Sequence, residues 1–103
     1  MKMIIPDQTA VLNYYGVEKQ TVIWMEELAE LSKAASKCLR EDTGEHRADM
    51  AEEIADVMIC IQQMRQAYKI PQSLVEGIIC EKWERQNKRM TEEKWTIKTK
   101  VVE

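Results

Sequence analysis

The feature that most constrains the fold is the separation of two long amphipathic stretches by one short break. Residues from about Glu18 to Arg40 and from about Arg47 to Lys69 place apolar side chains at the spacing of an α-helix. Between them, only the segment 41–45 (Glu-Asp-Thr-Gly-Glu) is typical of a turn. Because so short a connection sets neighbouring helices side by side and antiparallel, the sequence predicts a helical hairpin.

The composition agrees with a mostly helical chain. The 103 residues include three Gly, two Pro and no Phe, whereas Leu, Ile, Met, Ala, Glu and Lys, which favour helices, are plentiful. Asp7 can cap a short first helix that ends at Tyr15, and Gly16 then breaks it. We therefore expect an all-α fold, an antiparallel bundle of about four helices, as a single domain over 1–103 with its core at about 16–89.

The fourth helix and the tail follow a proline. Pro71 disfavours helical geometry in the residue before it, so the third helix should stop near Ile70. A fourth helix should begin at Pro71 or the next residue and end at about Arg89, since proline suits a first helical turn. Residues 95–102 alternate weakly between apolar and polar, which predicts a short strand or an extended arm.

Charge and hydropathy argue against two classes of partner. The formal net charge is −3 with 32% charged residues of mixed sign, so no basic field is present to bind polymeric nucleic acid. The longest apolar run, Val57 to Ile61, is too short to span a bilayer, and we expect no membrane association. Residues 1–10 lack the apolar stretch of a secretory signal, so a cytoplasmic location is expected.

The three cysteines are expected to be reduced packing residues. Cys38, Cys60 and Cys80 are an odd number, have no CxxC spacing and fall within or beside apolar helical stripes.

One seven-residue pattern occurs twice, as MEELAEL at 25–31 and as AEEIADV at 51–57. On a helical projection of the first copy, Glu27 lies inside the apolar arc and Glu30 lies on its flank. Glu26 lies toward solvent, and so do the two lysines that follow, Lys33 and Lys37.

The second copy has the same plan. Glu53 lies inside the apolar arc and Asp56 on its flank, whereas Glu52 lies toward solvent. Acidic edges are common on ordinary amphipathic helices, but here apolar residues surround the acids on both helices. Packing the two faces together would gather four carboxylates: Glu27, Glu30, Glu53 and Asp56.

Four adjacent carboxylates need either protons or a cation. Their mutual repulsion raises their pKa values unless a cation binds between them. All-oxygen ligands suit a hard ion such as Mg²⁺, with Mn²⁺ as a possible substitute. A di-iron bundle would instead need Glu-x-x-His pairs, and the only histidine is His46, in the turn. We expect His46 to be a surface residue, with a substrate contact as the alternative.

The two acidic motifs resemble the MazG-like family of all-α nucleoside triphosphate pyrophosphohydrolases. The likeness rests on EELAEL followed by EEIADV, with 22 residues between the two ExxE/D pairs, and it covers about Gly16 to Arg89. Gly16 and Gln20 also resemble the family's approach to the first motif. The resemblance implies a dimer or tetramer that cleaves a (deoxy)nucleoside triphosphate between its α and β phosphates. The four acids listed above would then be Mg²⁺ ligands and catalytic residues.

The predicted fourth helix changes from apolar to basic along one face. Val75, Ile78 and Ile79 are followed on that face by Lys82, Gln86 and Arg89, and the stretch EKWERQNKR (81–89) resembles the family's basic element. The alternative is a solvated helix end. The candidate phosphate contacts are Lys82, Arg85, Asn87 and Arg89.

Trp24 lies one turn before Glu27 on the same face. It is expected to pack in the core or a subunit interface, or else to stack on a nucleotide base. Gln20 is a separate candidate for a nucleotide contact. No P-loop or nucleophilic triad is present in the sequence.

Two alternatives to a general pyrophosphohydrolase stay open. One is a related all-α enzyme, such as a dimeric deoxyuridine triphosphatase or a phosphoribosyl-ATP pyrophosphohydrolase. The other is a helical interaction module without turnover. Base and sugar preference is not determined by the acidic motifs.

Overall fold

The computed structural model describes the backbone of residues 6–102 and the side chains of residues 6–93, and it confirms the all-α class. The described range contains no strand. Its four helices are α1 (Thr9–Tyr15), α2 (Val17–Arg40), α3 (Gly44–Ala67) and α4 (Gln72–Val102).

A tight junction at Gly16 joins α1 to α2. Gly16 has φ +87° and ψ 152°, a region that residues with a Cβ rarely adopt. Its N–H donates to the carbonyl of Leu12 at 2.8 Å, and its own carbonyl accepts from the N–H of Gln20 at 3.1 Å. At the other end of α1, the Asp7 carboxylate accepts the N–H of Thr9 at 2.9 Å. The chain therefore ends one helix and starts the next at a single residue.

The turn between α2 and α3 is shorter than expected. Thr43 caps α3, because its Oγ1 accepts the N–H of His46 at 3.1 Å. The helix therefore begins at Gly44, about three residues before the predicted start. Across the turn, Nε and Nη2 of Arg47 donate to the two carboxylate oxygens of Asp42 at 2.6 and 2.7 Å.

The helices α2 and α3 form the predicted antiparallel hairpin. Gln20 of α2 bonds to Gln63 of α3, whereas Glu27, two turns further along α2, lies beside Asp56, two turns back along α3. The short helix α1 packs against both. Four apolar side chains are buried along this unit: Trp24, Ala34, Val57 and Cys60.

The prediction of an extended tail was wrong, because the backbone of α4 remains helical to Val102. No proline follows Pro71, and the residues before the tail include strong helix formers. A weak alternation over eight residues does not override that preference. At the start of α4, the Pro71 carbonyl accepts N–H groups from Leu74 and Val75, close to the predicted boundary.

The chain divides into two compact units, Met1–Lys69 and Ile70–Glu103. The first holds the hairpin and α1, and the second consists of α4. The single domain expected from the sequence stays a prediction. Within residues 6–102, no helix combines the length and the apolar character needed to cross a membrane.

Candidate metal centre and adjoining cleft

Three carboxylates from the two acidic motifs come together in the hairpin. One oxygen from each of Glu27, Glu53 and Asp56 lies within 4.8 Å of the other two. Glu27 and Glu53 are half-buried and Asp56 is exposed. The antiparallel pairing causes this convergence, because both motifs occupy the facing surfaces at the same height along the hairpin.

Glu30, the fourth predicted ligand, lies beside this group but outside it. Its side chain is exposed, and it lines the neighbouring cleft described below. Its negative charge still reaches Glu27, whose pKa it helps to raise. The structure thus brings three of the four predicted carboxylates close enough to share one cation, and it places the fourth beside them.

The electrostatics of the cluster disfavour three bare carboxylates. Desolvation raises the pKa of Glu27, and the negative charges of Asp56, Glu53 and Glu30 raise it further. Glu53 Oε2 is buried and has no hydrogen-bond partner, which leaves a costly acceptor without a donor. A hard divalent cation would satisfy that oxygen and relieve the repulsion, so these residues fit such an ion.

Cys60 lies next to the cluster but behaves as a packing residue. It is 5% exposed, and burial, followed by the charges of Glu27 and Asp56, raises the pKa of its thiol. A neutral thiol is a poor ligand for a hard cation. All three cysteines are free; Cys38 is half-buried and Cys80 is exposed.

A buried amide network closes the hairpin on one side of the cluster. Oε1 of Gln63 accepts hydrogen bonds from Nε1 of Trp24 at 2.8 Å and from Nε2 of Gln20 at 3.1 Å. Nε2 of Gln63 donates to Oε1 of Gln8 at 3.1 Å, and the backbone N–H of Gln8 donates to Oε1 of Gln66 at 2.9 Å. This network ties α1, α2 and α3 together.

Two of the predicted nucleotide contacts, Trp24 and Gln20, are buried in this network. Trp24 is 3% exposed and Gln20 is 4% exposed. The indole of Trp24 therefore has no free face for a base in this hairpin. This burial favours the expected packing role over stacking on a nucleotide base. Oε1 of Gln20 is buried without a hydrogen-bond partner.

A cleft of about 160 Å³ opens between α2 and α3 on the other side of the cluster. Its lining is rich in charge and includes both signs. From α2 it takes Glu30, Lys33, Ala34 and Lys37, and from α3 it takes His46, Asp49, Glu52 and Glu53. Glu53 therefore belongs to both the carboxylate cluster and the cleft.

The sequence projection missed the two lysines of this cleft. Lys33 and Lys37 follow Glu30 at i+3 and i+7, so all three share one side of α2. The projection placed both lysines toward solvent, although the sequence spacing from Glu30 was sufficient to associate them with the acidic edge. Lys33 is exposed and Lys37 is half-buried.

His46 is half-buried at the mouth of the cleft rather than fully on the surface. Its Nδ1 lies 2.7 Å from the carbonyl oxygen of Glu41. A carbonyl oxygen can only accept, so Nδ1 carries the hydrogen and Nε2 of the neutral ring is left as an acceptor.

The basic residues of α4 share one side of that helix. Lys82, Arg85, Gln86 and Arg89 line a shallow opening, whereas Asn87 is exposed and outside that lining. The predicted change from apolar to basic is therefore seen in a helix that continues well past Arg89 rather than in a frayed end.

Comparison with known proteins identifies no relative: no family model, no curated protein and no solved structure matches the chain. The chemistry of the site therefore carries the functional argument.

Proposed function

We propose that the protein is a divalent-cation-dependent nucleotide pyrophosphohydrolase, which cleaves a (deoxy)nucleoside triphosphate between its α and β phosphates. The observation that carries the proposal is the convergence of Glu27, Glu53 and Asp56 with a buried, unpartnered carboxylate oxygen among them. The spacing of the two acidic motifs, which resembles that of MazG-like enzymes, supports the same conclusion.

The three carboxylates, with Glu30 beside them, would hold Mg²⁺, or Mn²⁺ in its place. When bound, the cation would supply charge neutralisation for phosphate and a lowered pKa for a water ligand. The chain itself supplies negative ligands on rigid helices and a carboxylate near the reacting water. A carboxylate of this set that the cation does not fully engage would accept the proton of that water.

The remaining nucleotide contacts are proposed from the basic side of α4. Lys82, Arg85 and Arg89 offer exposed positive charges of the kind that bind phosphate oxygens. Asn87, Gln20 and Trp24 stay weaker candidates, the last two because they are buried in the amide network.

We also propose that the working enzyme is a homodimer or homotetramer in the cytoplasm. Several large apolar side chains of α2 and α3 are exposed, including Val22 at 55%, Met25 at 66% and Ile61 at 44%. Apolar surface of this kind is typical of subunit interfaces. Light scattering coupled to size exclusion measures the assembly directly.

The test of function is product analysis with a panel of nucleoside triphosphates and Mg²⁺. Release of nucleoside monophosphate and pyrophosphate, lost in Glu53→Gln and retained in Glu26→Gln, is the expected result. Glu26 is a matched control, since it lies next to Glu27 but is exposed and outside the cluster. Orthophosphate as the product refutes α–β cleavage, and inactivity on every triphosphate favours the interaction module.

The panel also separates the related enzymes. A reaction confined to deoxyuridine nucleotides identifies a deoxyuridine triphosphatase, and one confined to phosphoribosyl-ATP identifies the corresponding pyrophosphohydrolase. A broad reaction supports the general pyrophosphohydrolase.

A further inference from the structure

The cleft beside the carboxylate cluster contains positive charges that the metal centre itself does not require. Lys33 and Lys37 lie one turn apart on α2, and His46 lies at the start of α3. Neither lysine forms an ion pair with a carboxylate among the side chains of residues 6–93. Both ammonium groups are therefore available to a ligand.

His46 adds a ring nitrogen that is fixed in place. The contact of Nδ1 with the Glu41 carbonyl and the capping bond of its backbone N–H to Thr43 hold the residue at both its ring and its main chain. Its Nε2 is the ring nitrogen left to a ligand. As an acceptor, this nitrogen can bind a water or hydroxyl that accompanies the ligand, and because it is preorganised it loses little conformational entropy on binding.

The charge balance of the cleft selects the kind of ligand. A bare anion would meet the carboxylates of Glu30, Asp49, Glu52 and Glu53, and a bare cation would meet two ammonium groups. A ligand that carries both signs, an anion complexed with a divalent cation, satisfies both sides of the cleft. Phosphoanhydrides bind Mg²⁺ in this way.

The volume of the cleft and the closed space on the far side of the carboxylates limit where a ligand can lie. About 160 Å³ is below the range typical of pockets that enclose a whole organic ligand, so the cleft suits a small group. On the far side of the carboxylates, the buried Trp24 and Gln20 close the space between the helices. Between the helices, the open space beside the carboxylates is therefore the cleft that Lys33 and Lys37 line.

We propose that this cleft is a diphosphate subsite, in which Lys33 and Lys37 bind the two terminal phosphates of a metal-complexed phosphoanhydride. The subsite rests on the proposed function, since it orients the triphosphate with its α phosphate at the carboxylates and its β and γ phosphates in the cleft. Pyrophosphate is then the part of the substrate that the cleft holds after cleavage.

The test is calorimetric binding of inorganic pyrophosphate in the presence of Mg²⁺. Wild type should bind, Lys33→Gln and Lys37→Gln should each weaken binding about tenfold, and the double variant should weaken it further, because each loses a charge-assisted hydrogen bond. Lys37→Arg should retain most of the affinity. Lys19→Gln is the matched control, since Lys19 is an exposed lysine of α2 outside the cleft.

The outcomes separate the subsite from the proposed function. Absence of pyrophosphate binding in wild type, or equal affinity in Lys19→Gln and the Lys33/Lys37 double variant, overturns the subsite even if the protein hydrolyses nucleotides. Lysine-dependent binding by a protein that hydrolyses no triphosphate supports the subsite and rejects the catalytic function. Unchanged Mg²⁺-induced stabilisation in the lysine variants is expected, and its loss would assign the lysines a structural role and reject the subsite.

Discussion

The indole N–H of Trp24 and the side-chain oxygen of Gln63 form a 2.8 Å hydrogen bond across the hairpin. Gln63 also accepts from Gln20 and donates to Gln8, so one amide joins three helices. The bond lies one turn from Glu27 on α2 and two turns from Asp56 on α3. The packing of the hairpin and the geometry of the carboxylate cluster therefore depend on the same alignment of the two helices.

Replacing Gln63 by leucine should destabilise the hairpin by about 2–4 kcal/mol, because the buried donors of Trp24 and Gln20 lose their acceptor. Urea denaturation measures the change in the free energy of unfolding. Gln72→Leu is the control, since the Gln72 amide contacts only the exposed Glu76 in the described structure. Equal effects of the two substitutions would contradict the network's role.

Gly16→Ala should destabilise the protein by about 1–3 kcal/mol, because φ +87° with ψ 152° is strained for any residue with a Cβ. Gly77→Ala should do the opposite and stabilise α4 by about 0.5–1 kcal/mol. Both sites have open space around the added Cβ, so the pair isolates backbone conformation from crowding. Thermal melting of both variants checks the signs.

Without divalent cations, ionisation of Glu27 should destabilise the fold. Its folded pKa is raised above the ordinary value of 4.5, so its favourable contribution is complete below that value and is lost as the pH rises through the folded pKa. Glu27→Gln should therefore melt at a higher temperature than wild type at pH 7 in chelator, and the difference should shrink below pH 4.5. A wild type that is equally stable relative to this variant at both pH values would contradict the burial and charge repulsion assigned to Glu27.

Mg²⁺ should raise the melting temperature of wild type and reverse its order with Glu27→Gln. At a free concentration about one hundred times the dissociation constant, binding adds about 2.7 kcal/mol of stability. Glu53→Gln and Asp56→Asn should lose most of this response, whereas Glu26→Gln should keep it. A response that persists undiminished in Glu53→Gln would exclude the carboxylate cluster as the cation site.

Helical periodicity was sufficient to predict the hairpin and the convergence of Glu27, Glu53 and Asp56. Both results follow from repeating one spacing on two helices joined by a short turn. Periodicity did not reveal the partners of Gln63, because a polar side chain in an apolar stripe does not identify its hydrogen-bond partner on another helix.

The sequence was less informative about where the helices begin and end. Because Thr43 caps α3, the helix begins before the predicted start and includes His46, which lines the cleft. The helical course of residues 95–102 was missed because eight weakly alternating residues carry little periodic information.

The pairing of α2 with α3 has a consequence for folding. If α3 slipped by one turn, Gln63 would leave Trp24 and the acids of the two motifs would no longer face one another. Any ligand of Glu27, Glu53 and Asp56 therefore binds only the correctly aligned hairpin and draws the population away from misaligned pairings. A ligand bound at these carboxylates would thus also stabilise the correct register of the two helices over the misaligned ones.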